Sequence, residues 1–110
     1  MPTANTTGRG HLVHLVTLEC KDHKRAQRCL AALENYGKPD ALAFQCEPYE
    51  FGLKEGTTET GCLLERWNRW EDLDALISKK VVPVLPTYNQ LLKRPFDPAK
   101  DTCRIKLAVA

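Results

Sequence analysis

From His11 to Glu19 the chain reads His-Leu-Val-His-Leu-Val-Thr-Leu-Glu, and this stretch restricts the fold more than any other. Both alternate sets of side chains are largely apolar. A strand of that kind is covered on both faces, because each set points to its own side of a sheet. The chain has 110 residues, enough for one domain with a modest core.

The remaining pattern supplies partners for that strand. Asp22 caps a helix over about His23 to Asn35, in which Ala26, Cys29, Leu30 and Leu33 share one stripe. Gly37 and Pro39 are expected to stop it. Ala41 to Phe51 reads as a second strand with Pro48 at an edge or bulge, and Gly52 to Thr60 as a hairpin loop. A third strand follows over Gly61 to Trp67. Asn68 and Glu71 fit a capping box that starts a helix near Arg69, with Trp70, Leu73, Leu76 and Ile77 on one face. Ser78 to Lys80 is expected to end it. After Pro83 and Pro86 comes a short helix over about Thr87 to Lys93, closed by Pro95 and Pro98. Thr102 to Val109 alternates as a last strand. Met1 to Gly10, rich in threonine and glycine, reads as a flexible tail before a single domain over 11–110.

The order β-α-β-β-α-β predicts an α+β, ferredoxin-like domain with a four-stranded antiparallel sheet. Its helices cover one face. The other face is also apolar, through Val13, Leu15, Leu64 and Val109, so a second copy of the chain is expected against it.

Composition excludes several classes. Hydrophobic residues make up 43% and charged residues 27%, the balance of a globular chain. A net charge of +2 is too small for a nucleic-acid binder, and the basic run Lys21 to Arg28 reads as a solvated helix face. The five cysteines lack CxxC spacing and read as small apolar residues in a reducing, cytoplasmic setting. No run has membrane-spanning length, and Met1 to Gly10 lacks the apolar core of a secretory signal.

The stretch Leu63-Leu64-Glu65-Arg66-Trp67, followed by Trp70-Glu71-Asp72-Leu73-Asp74-Ala75-Leu76, resembles the third strand and second helix of the antibiotic biosynthesis monooxygenases. In that family a Glu-x-Trp strand end leads into an Asp/Glu-x-x-x-Ala-Leu helix. Val84 to Leu92 is similar to the amphipathic segment that follows. The resemblance implies a homodimer of ferredoxin-like subunits, packed as a dimeric α/β barrel. It implies oxidation of an electron-rich small molecule, such as a quinol or anthrone, by O2 without metal or flavin. One departure matters: Arg69 to Lys93 contains no His, which sets the chain apart from the haem-degrading relatives and their proximal ligand.

Such chemistry needs a proton acceptor, donors that hold an oxyanion, and an apolar pocket. The candidate catalytic residues are His14, Glu65, Trp67 and Tyr88. His14 sits mid-strand, where an imidazole can move protons near neutral pH. Glu65 shares a strand face with Trp67 and Leu63 and is a second candidate acceptor. The Trp67 indole N–H and the Tyr88 phenol can donate to a substrate oxygen. Phe44, Leu63, Leu85 and Asn89 are the candidate substrate-binding residues. Each has a plainer reading as core, capping or ion pairing. Two other functions fit the same sequence: a non-oxidative cyclase, aldolase or isomerase working through an enolate, and a small-ligand-binding dimer without catalysis.

Overall fold

In the computed structural model, residues 10–108 are described, and they form a four-stranded antiparallel sheet with helices on one face. The strands are β1 (Leu12–Glu19), β2 (Tyr49–Leu53), β3 (Thr60–Trp67) and β4 (Thr102–Lys106), in the order β2-β3-β1-β4. The first crossover holds α1 (His23–Ala32) and α2 (Lys38–Ala43). The second holds α3 (Trp70–Leu76), α4 (Leu85–Asn89) and α5 (Pro98–Asp101). This is the expected ferredoxin-like α+β architecture. The tail expected before Gly10 lies outside the described residues, as does Val109, and the last strand ends at Lys106, short of the expected end.

The sequence explains the covered face. Asp22 accepts the Arg25 N–H at 2.8 Å and starts α1, which buries Ala26 and Cys29. Leu73 and Leu76 of α3 are buried beside Trp67, Leu63, Val16 and Leu18 of the sheet. Lys24, Gln27 and Arg28 face solvent, as a basic helix face should.

Four expectations are corrected. Gly37 and Pro39 do not stop the first helical segment; it continues through a π turn, Leu33–Gly37, into α2. Likewise Ser78 to Lys80 do not end α3, which runs on through a π turn, Ile77–Val81, and a 3-10 turn, Val82–Val84, into α4. The reason is the same at both places. The residue before the proline reaches back five positions, Lys38 N–H to Leu33 O and Val82 N–H to Ile77 O. That wider turn relieves the clash a proline ring makes with the carbonyl four residues earlier. Thirdly, Ala41 to Ala43 therefore lie in α2, and the second strand is only Tyr49–Leu53, with Leu42 exposed. Fourthly, the capping box at Asn68 and Glu71 does not form: Arg69 is the extended residue before α3 and no side chain caps that end.

Two glycines mark close approaches. A Cβ on Gly37 would strike the Tyr49 hydroxyl. Gly10, read above as part of the tail, is buried, and a Cβ there would overlap the Trp67 carbonyl.

The approach to β4 is held by a clasp. Asp101 is buried and accepts from Arg94 at 2.7 and 3.0 Å and from the Asp97 N–H at 2.8 Å. The Arg94 hydrogen bonds, then the Asp97 N–H, hold its carboxyl below the usual carboxylate range. A carboxyl with a lowered folded pKa contributes stability above its unfolded pKa and loses it as pH falls through the folded value. Asp101→Asn is therefore expected to lower stability at pH 7 by about 1–2 kcal/mol. The gap to the parent should close below about pH 4. Urea unfolding at pH 7 and pH 3 checks this, and a pH-independent gap would contradict it.

Candidate functional site

The register brings an unbroken row of polar side chains across the covered face. His14 of β1 pairs with Arg104 of β4 on one side and Glu65 of β3 on the other, and Glu65 pairs with Tyr49 of β2. The row reads Arg104, His14, Glu65, Tyr49. On the same face one flanking row holds Leu12 and Trp67, and the other Val16, Leu63 and Phe51. His14, Glu65 and Arg104 each have a hydrogen-bond partner.

His14, Glu65 and Trp67 are 7%, 5% and 0% exposed. His14 Nδ1 lies 2.8 Å from Glu65 Oε1, and the Trp67 indole Nε1–H donates to the same oxygen at 3.1 Å. A carboxylate only accepts, so Nδ1 is the donor of this bond, and Nε2 has no hydrogen-bond partner among the described residues. Three of the four candidate catalytic residues thus meet in one hydrogen-bonded group. Their roles differ from the expectation. The Trp67 N–H, expected on a substrate oxygen, is committed to Glu65, and Glu65 orients the imidazole.

Tyr49 stands beside Glu65 in the row without a hydrogen bond to it among the described residues, and sequence reasoning did not single it out. Burial, and next the Glu65 charge, push its phenol well above the usual tyrosine range. Tyr88, half-buried on α4, lies toward the Tyr49 end of the row rather than beside His14. Burial, then the Cys29 and Asp40 charges, push its phenol up to about 12. The Cys46 thiol is likewise raised to about 12, by burial first and Glu65 second.

The expected substrate-binding residues do not gather. Leu63 packs beside the row. Phe44 and Leu85 are half-buried against or near the core, and the Asn89 Oδ1 accepts the Phe96 N–H at 2.9 Å. Trp67 and Leu63 flank His14 and Glu65 in the neighbouring rows and belong, with Leu73 and Leu76, to the buried core. Two open grooves exist among the described residues. One, of about 350 Å³, lies at Gly52 with Leu15, Cys62 and Leu64. The other, of about 390 Å³, lies between Leu12, Trp70 and Lys106.

The row is closed at Tyr49 and opens at Arg104. The Arg104 guanidinium sits 5.0 Å from the Trp70 ring centroid and donates to Asp74 at 2.7 Å. Its side chain is 39% exposed. Arg104 is therefore the solvent-exposed end of the row. No cluster of three or more His, Cys, Asp or Glu with metal-binding geometry occurs among the described residues. No helix among them is long and apolar enough to cross a membrane.

No family model matches the chain, and no curated protein sequence matches it. Solved structures do. A candidate antibiotic biosynthesis monooxygenase from Deinococcus radiodurans superposes with a TM-score of 0.70 at 12% identity, over 90% of this chain and 94% of that one. A Nitrosomonas europaea protein of unknown function gives 0.66 at 21% identity, over 92% and 95%. A conserved Methanosarcina mazei protein gives 0.65 at 13% identity, over 94% and 99%. At these identities the likeness is one of fold. The chain has the ferredoxin-like fold of the antibiotic biosynthesis monooxygenase structures, the family its Glu65-Arg66-Trp67 segment resembles.

Proposed function

We propose that the chain is a member of the antibiotic biosynthesis monooxygenase family and oxidises a small, electron-rich organic molecule with O2. The observation that carries this reading is the buried Glu65, holding the imidazole of His14 on one side and the Trp67 indole on the other. A positioned imidazole with a free Nε2 is a general base. His14 takes a proton from an activated C–H or O–H, and Glu65 stabilises the resulting imidazolium. The substrate anion then passes one electron to O2, and the two radicals join as a peroxide. For a methylene centre such as that of an anthrone, loss of water leaves a ketone. One methylene and one O2 thus give one carbonyl and one water. Arg104, beside His14, is the cation nearest the developing negative charge along the row. Metal and flavin are not required for this sequence of steps.

We also propose that two copies pack through the uncovered sheet face. Leu15, Cys62 and Leu64 are only half-buried there and Ile105 is 38% exposed. Such a face is too apolar to leave wet. The cysteines, all free among the described residues, suit a cytosolic setting.

The test is O2 uptake by metal-stripped protein supplied with an anthrone or a quinol. Consumption above the uncatalysed rate, with ketone or quinone formed in equal amount, is the expected result. Turnover that persists without oxygen would favour an enolate-based cyclase, aldolase or isomerase. Absence of turnover across a broad panel would leave a binding protein.

A further inference from the structure

We infer that the groove between Leu12, Trp70 and Lys106 binds a planar aromatic anion, a carboxylate or phenolate carried on a ring. This rests on the proposed reaction for its place in a mechanism, but the binding can be measured without turnover. The groove holds about 390 Å³, enough for one or two fused rings, and lies on the covered face one residue row from His14. Its floor is Leu12, and its wall is the half-buried Trp70. The Trp70 ring already faces the Arg104 guanidinium on one side, and the groove lies along the ring as well.

The charges decide the ligand class. Lys106 pairs with Leu12 across the sheet, is exposed, and enters no ion pair among the described residues. Arg69 at the rim is tied to Asp72, and Arg104 is tied to Asp74. His11 lies on the rim as a further hydrogen-bonding group, and Glu71 is the opposing acid. Lys106 is thus the cation left to receive an anionic substituent, while the ring stacks on Trp70. Arg104, which pairs with His14, lies in the next row of the same sheet face.

Sodium salicylate, with its neutral counterpart salicylamide, is the probe. Titration is followed by amide and indole N–H shifts in the full-length protein. Salicylate should shift the Trp70 indole and the Leu12 and Lys106 amides to saturation. Lys106→Gln should weaken it about three- to five-fold, salicylamide should be weaker by a similar factor, and Glu71→Gln should tighten it. Shifts centred on Leu15 and Cys62 instead, or an affinity indifferent to Lys106→Gln and to the ligand's charge, would overturn the assignment. His14→Gln separates the two ideas. Salicylate binding retained in that variant, when the parent protein consumes no O2 with any substrate, supports the groove and removes the oxidation. Turnover of an anionic substrate with no shift at Trp70 removes the groove alone.

Discussion

His14→Gln is expected to lower turnover by about a hundred- to ten-thousand-fold, the usual worth of a positioned general base. The argument is geometric. Gln can still offer an N–H to Glu65, so the buried hydrogen bond at 2.8 Å has a replacement and the core keeps its donor. What it lacks is the basic lone pair of Nε2. The loss should therefore fall on kcat, with the unfolding midpoint little changed. Comparing O2 uptake of the two proteins with the same quinol or anthrone measures it. A variant that turns over at the parent rate would move the base elsewhere, with Glu65 next in line.

Much of this architecture can be read from the chain, because it depends on local periodicity. Strand β1 shows itself in the apolar run from Leu12 to Leu18. Strand β3 does so in the alternation that buries Gly61, Leu63, Glu65 and Trp67 and leaves Cys62, Leu64 and Arg66 half-buried. The helices are harder to bound. Pro39 and Pro83 carry a strong local signal to stop, yet each follows a π turn that carries the chain on. Tertiary packing of Leu33, Ala41, Leu76 and Ile77 outweighs that signal, and no single-residue preference reports it.

The site divides along the same line. His14 and Glu65 could each be suspected as polar residues in apolar strands. Their meeting depends on register, which places residues 51 positions apart within 2.8 Å. Tyr49 was invisible for the same reason: the second strand begins eight residues later than its composition suggests, so its pairing with Glu65 could not be anticipated. The candidate substrate-binding residues scatter for another reason. Apolar residues such as Leu63 and Phe44 look alike in sequence whether they line a cavity or fill one.

Glu65→Leu is the substitution expected to harm stability most within the row, by about 2–6 kcal/mol, because it takes one acceptor away from two buried donors. Leu is close to Glu in size, so packing is not the main loss. The loss is that His14 Nδ1 and Trp67 Nε1, which now share Glu65 Oε1, would both be left without an acceptor in a dry interior. Each orphaned donor is worth about 1–3 kcal/mol. Adding His14→Leu removes one of them and should recover part of the stability; adding Trp67→Phe removes the other. The triple variant, apolar across the middle of the row, should then approach the parent in stability while having no activity. Urea unfolding midpoints of the single, double and triple variants test this. If Glu65→Leu alone matched the parent, water would have to be replacing Glu65 on both donors, and the buried His14–Glu65–Trp67 unit on which the proposed chemistry stands would not exist. If instead stability returns stepwise while turnover stays absent, the row is kept for what Glu65 does to His14 rather than for what it adds to the fold.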